Sequence, residues 1–242
     1  MNFVDMNSSV KEIAKMIDHA ILHPAHTDAE LLSECKVASE YQAASVCVKP
    51  YVVALAHETL ADSGVLTCSV IGFPAGNSSI QVKAFETETA IKEGATEIDM
   101  VINIGKALGG DWAYVEEEIK TLTDLCHTHN AIVKVIFETD YITNEKDKIR
   151  LCEICSEVKA DYVKTSTGFG YVKQQDGSMM YQGATLSDIM LMRAHSAPAV
   201  KVKASGGIKT LDDLLAMKEA GADRIGASAT RSILEEAKIR FS

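Results

Sequence analysis

The 242-residue chain is 47% hydrophobic and carries a formal net charge of −10. This is the composition of a globular protein with a substantial core, and its acidic balance disfavours nucleic-acid backbones and anionic membranes as partners. Six cysteines scattered through apolar runs of so large a chain read as reduced thiols of a cytoplasmic protein.

The N-terminus, "MNFVDMNSSVKEIAKMIDHA", lacks the long apolar core of a signal peptide, and its first dozen residues predict a short extra helix. One alternation then repeats to the end. Runs rich in Val and Ile recur in the order "KMIDHAIL", "SVCVK", "LTCSVIGFP", "EIDMVIN", "IVKVIFE", "DYVKTS", "AVKVKAS" and "DRIGAS". Segments of helical period lie between them, with Thr27 or Asp28 and Thr210 as N-caps and Gly64, Gly94 and Gly221 as C-terminal stops. Strand and helix patterns alternating at about thirty residues per unit specify βα units and a parallel sheet. Eight such strands fit a closed (β/α)₈ TIM barrel, whose usual size is about 250 residues. The alternative, a doubly wound sheet, lacks its GxGxxG fingerprint here. No Pro/Gly/Ser-rich linker divides the chain, so residues 1–242 are expected to form one barrel domain.

Strand alternation predicts which side chains enter the barrel. In "AVKVKAS" the valines meet the helices, which turns Lys201 and Lys203 inward. The same logic places Glu97, Asp99, Val101 and Asn103 inside, together with Tyr162, Lys164, Lys134 and Glu138, and Asp18 on the first strand. For Lys134, Lys201, Glu97 and Glu138 the expected role is a buried ion-pair network. Lys164 and Lys203 differ, because each is followed at once by a small-residue turn, "TSTG" and "ASGG", at the rim where barrel enzymes keep their chemistry. A neutral lysine there attacks a carbonyl to give a Schiff base. At the solution pKa only about one amine in 2,500 is neutral at pH 7, so desolvation and a second ammonium, Lys203, are expected to favour the free amine of Lys164. Asp99 is the best candidate to move protons at the adduct. The turns "TSTGFG", "SGGI" and "RIGAS" provide phosphate grips, with Gly206 and Gly207 allowing close approach and Ser228 at the start of the last helix.

The stretches "IDHAILHP", "VCVKPYVV", "VIGFPAGN", "GATEIDMVINIG", "VKVIFET", "DYVKTSTGFG", "VKASGGIKT" and "RIGAS" together resemble the deoxyribose-phosphate aldolase family over nearly the whole chain. The resemblance implies a metal-free, cofactor-free class I aldolase that degrades a deoxyribose phosphate to acetaldehyde and D-glyceraldehyde 3-phosphate, and a homo-oligomer, dimer or tetramer. Small phosphosugars and aldehydes are then the ligands. By the same resemblance Lys164 is the Schiff-base lysine, Lys203 the lysine that perturbs it and Asp99 the proton shuttle. Gly168, Gly206, Gly207 and Ser228 match phosphate contacts, and Asp18 a polar residue of the site. Cys47 lies near the substrate, either as a target of reactive aldehydes or as a small buried apolar residue. Two departures stand out: Ala20 replaces a threonine, and residues 171–182 insert after the sixth strand, as a cover for the pocket, a subunit contact, a segment that changes which aldehydes are tolerated, or a solvated flap.

Other features read as structural. Cys152 and Cys155 lie on a helix's buried face, and His19, His23 and His26 lack metal-site spacing. Trp112 reads as a packing anchor and the run Glu116–Glu118 as a solvated helix face. A transaldolase-like barrel and a non-catalytic phosphosugar-binding protein are the rival functions.

Overall fold

A computed structural model describes residues 3–242. Eight parallel strands close into a TIM barrel: β1 (Ile17–Ile21), β2 (Ser45–Val48), β3 (Leu66–Ile71), β4 (Glu97–Val101), β5 (Ile132–Ile136), β6 (Tyr162–Lys164), β9 (Lys201–Ser205) and β10 (Arg224–Ala227). Between β6 and β9, strands β7 (Val172–Lys173) and β8 (Met179–Met180) form a separate antiparallel hairpin. Each barrel strand is buried on both faces, which is why it reads as a nearly continuous Val/Ile run.

The helices are α1 (Ser8–Ala14), α2 (Asp28–Glu40), α3 (Val53–Leu60), α4 (Ile80–Lys92), α5 (Ile104–Leu108), α6 (Trp112–Thr128), α7 (Glu145–Glu157), α8 (Leu186–His195), α9 (Leu211–Glu219) and α10 (Thr230–Arg240). α1 is the extra helix before β1. The Thr27 and Thr210 side chains cap α2 and α9, and each is completed into a capping box by the acid three residues on, Glu30 or Asp213. Outward residues such as Ile98, Met100 and Ile102 are fully buried against the helices.

Three expectations fail. Glu118 is not solvated: α6 buries Val115, Glu118, Ile119 and Leu122 on one face, and Glu118 meets Lys83 of α4 at 2.6 Å with both side chains fully buried. Helical period outweighs the local run of acids. Lys201 is exposed, because the first residue of β9 stands at the open N-terminal mouth, where its ammonium lies over the Tyr162 ring at 5.6 Å. Glu138 is buried but pairs with no cation among the described residues. Its φ of +58° breaks the strand, and one carboxylate oxygen accepts both the Thr167 amide and the Thr167 hydroxyl.

Candidate active site

The middle of the barrel is ionic where an apolar plug is the rule. Register explains the convergence: Lys164 stands opposite Lys203 across β6–β9, Asp99 opposite Lys134 across β4–β5, and Asp18 opposite Ser45 across β1–β2. Lys164 Nζ donates to Asp99 Oδ2 at 2.6 Å, and Lys203 Nζ donates to the same oxygen at 2.7 Å. Lys134 takes the other oxygen at 2.7 Å and Glu97 at 2.6 Å. Lys203 also donates to Asp18 at 2.5 Å, and Arg224 bridges Asp18 and Glu97 from below.

Four cationic side chains thus meet three carboxylates. The set balances when one amine is uncharged, and an unbalanced charge this deep is costly. Lys203 and Lys134 each touch at least two carboxylates, whereas Lys164 touches only Asp99. Burial opposes a charge on Lys203, but Asp18 and Asp99 outweigh it and raise its pKa. Burial likewise works against an ionised Asp99, yet the surrounding ammonium groups, Lys134 first, hold it well below the usual carboxylate range. Asp18 is lowered in the same way, by Lys203 first, against its own desolvation.

Lys164, Lys203 and Asp18 look up into a cavity of about 410 Å³ at the C-terminal mouth, bordered also by Cys47, Gly168, Gly206, Gly207 and Ser228. The β6 and β9 turns are stitched together: the Ser205 amide donates to Thr165 Oγ1 at 3.1 Å, and Ser205 Oγ donates to the Ser166 carbonyl at 2.5 Å. Gly206 needs its missing side chain, since φ is +90° and a Cβ would come within 2.9 Å of the Gly183 Cα. Ala20 borders the cavity, so its missing hydroxyl is missing from the site itself.

Several cavity residues escape a reading of the sequence. Lys209 follows the "SGGI" turn, and His23 and His26 approach from the loop after β1. Strand alternation in "DRIGAS" does point Arg224 inward with Gly226. Cys68 faces Cys47 in the β2–β3 register, and its thiol lies 3.2 Å from Asp99 Oδ1. A hydrogen bond from Cys68 lowers the Cys47 pKa, while burial raises that of Cys68. One donor atom from each of Cys47, Cys68 and Asp99 falls within 4.8 Å of the others, but both Asp99 oxygens already accept ammonium groups, whose charge opposes a cation. His19 lies outside the cavity, between Thr230 and Glu34.

The family model described as DeoC/LacD family aldolase matches residues 12–236. A deoxyribose-phosphate aldolase of Caldanaerobacter subterraneus is 48% identical, covering 95% of each chain. That of Rhodopirellula baltica is 45% identical over 94% of this chain and 90% of its own. The tetrameric deoxyribose phosphate aldolase from Aeropyrum pernix superposes with a TM-score of 0.84 at 30% identity, covering 96% of this chain and 93% of that one.

Proposed function

Since the chain belongs to the DeoC/LacD family of aldolases, we propose that it catalyses the reversible cleavage of 2-deoxy-D-ribose 5-phosphate to acetaldehyde and D-glyceraldehyde 3-phosphate through a Schiff base on Lys164. The observation that carries the lysine assignment is the single oxygen of the fully buried Asp99 that Lys164 and Lys203 share, both lysines bordering the cavity. It leaves Lys164 beside a cation that keeps its own proton, with a carboxylate between them to pass protons.

The uncharged Lys164 nitrogen adds to C1 of the open-chain sugar, and loss of water gives an iminium. Removal of the C3 hydroxyl proton breaks C2–C3, and the bonding pair passes into the iminium as an enamine. Protonation of that enamine at C2 and hydrolysis release acetaldehyde and restore the amine. Asp99, through a water, carries the protons, and Lys203 keeps the centre cationic as charge develops. Asp18 holds Lys203 in place, and Cys47 borders the reacting carbons. Gly168, Gly206, Gly207 and Ser228 hold the phosphate by close backbone approach and a helix start, which fixes the distance from C1 to Lys164. No metal ion or cofactor takes part in this scheme.

The protein acts as a homo-oligomer in the cytoplasm. The tetrameric relative supports the first part, and six unpaired cysteines agree with the second. Among the described residues no helix is long and apolar enough to cross a membrane. Residues 1–242, of which the first two lie outside the described residues, are read as one barrel domain, with residues 171–182 an insertion. Steady-state cleavage of 2-deoxy-D-ribose 5-phosphate by the wild type and by Lys164→Ala tests the proposal: activity is expected in the first alone, and its survival in the variant overturns the assignment of Lys164.

A further inference from the structure

We infer that Tyr171 and Tyr181, carried at the two ends of the β7–β8 hairpin, form a subsite for an apolar or aryl substituent on the acceptor aldehyde; the inference rests on the aldolase reading of the same site. In the synthetic direction the enamine π pair forms the bond to the acceptor's carbonyl carbon, and the carbonyl π pair moves to its oxygen, which takes a proton. The iminium left on Lys164 is hydrolysed by water to release the product and restore the amine. Whatever hangs from that carbonyl must leave toward the mouth of the cavity.

Both tyrosines border the cavity that holds Lys164, and their rings meet edge to face with centroids 5.3 Å apart. Phe169 continues the aromatic surface inward and meets Phe73 edge to face at 5.5 Å. Across the mouth stand the His23 and His26 rings, 5.4 Å apart. The mouth therefore presents ring faces and edges beside the polar turns that suit a phosphate, a lining that rewards planar or apolar groups.

The hairpin is fastened at both ends, so the wall has a fixed position. The Tyr141 hydroxyl donates to the Tyr171 carbonyl at 3.0 Å. The Asp140 carboxylate accepts the Gln182 amide at 2.6 Å and the Gly183 amide at 3.0 Å. The Ala184 amide donates to the Gly206 carbonyl at 3.1 Å, which bolts the returning leg to the "SGGI" turn. Gly183 packs so closely there that a Cβ would come within 2.6 Å of the Gly206 carbonyl carbon and oxygen. A solvated flap needs none of these ties.

The test compares kcat/KM for addition of acetaldehyde to phenylacetaldehyde and to D-glyceraldehyde 3-phosphate. It uses the wild type, a Tyr171→Ser/Tyr181→Ser double variant and the matching double Phe variant, each checked for its melting temperature. The serine variant should lower the aryl-to-phosphate ratio by roughly 10-fold or more, and the phenylalanine variant should restore it, because the ring faces make the contact. A ratio within about twofold of wild type in the serine variant overturns the subsite, as does equal loss in both variants. Wild type inactive toward both acceptors would instead overturn the aldolase reading.

Discussion

Lys164 and Lys203 stand opposite each other in the β6–β9 register and donate to one oxygen of Asp99, at 2.6 and 2.7 Å. Two basic groups on one acceptor serve Schiff-base chemistry if one keeps its proton and the other gives it up. Lys203 has a second carboxylate in Asp18, and Lys164 has none, which is why the proposed mechanism assigns the retained proton to Lys203. Lys203→Leu should therefore lower kcat by about 10²-fold or more while leaving Lys164 in place. Undiminished kcat would remove Lys203 from the mechanism.

Asp99→Asn makes a harsher prediction. It removes the proton path and leaves Lys134, Lys164 and Lys203 without their shared anion. Activity should fall by about 10²–10⁴-fold. Stability should fall by about 3–5 kcal/mol, as for other broken buried pairs, measured by urea denaturation. A variant as stable as the wild type would contradict the charge balance described for the barrel centre.

The Lys83–Glu118 pair offers a separate test of buried charge. Lys83 also donates to the carbonyls of Gly76 and Val101, so it ties the loop after β3 to the end of β4. Lys83→Met should cost about 3–5 kcal/mol by stranding Glu118, and Lys83→Met/Glu118→Leu should recover part of that loss. A double variant no more stable than Lys83→Met alone would contradict this.

Glu138 supplies a pH prediction. Burial pushes its carboxyl above the ordinary value, against the hydrogen bonds from Thr167. The folded state then holds this proton more tightly than the unfolded one. Its contribution to stability falls as pH rises from the ordinary glutamate value through the raised folded one. Glu138→Gln removes that dependence, so its melting temperature relative to wild type should be higher at pH 8 than at pH 4. Parallel curves would contradict the assignment.

Much of this was legible in the chain. Parallel strands buried on both faces write themselves as Val/Ile runs, and alternation within them is enough to send Asp18, Asp99, Lys134, Lys164 and Lys203 inward. What escaped depends on contacts distant in sequence. Glu118 looks solvated until α4 brings Lys83 against it. Lys201 obeys the alternation, but it sits at a strand's open end. Glu138 departs from it, because the backbone turns left-handed there. Cys68 lies in a strand with no local chemistry to mark it, and Lys209 and the two tyrosines, although beside the "SGGI" turn and within the insertion, carry no local sign that they face the cavity. Only the closed barrel and the anchored hairpin bring them to the same cavity.

The amine itself can be caught. Borohydride reduction of the protein in the presence of acetaldehyde, followed by peptide mapping, should place one ethyl group on Lys164 and none on Lys203 or Lys134. A label on another side chain, or a protein that turns over substrate yet never traps, would contradict the Schiff base at Lys164.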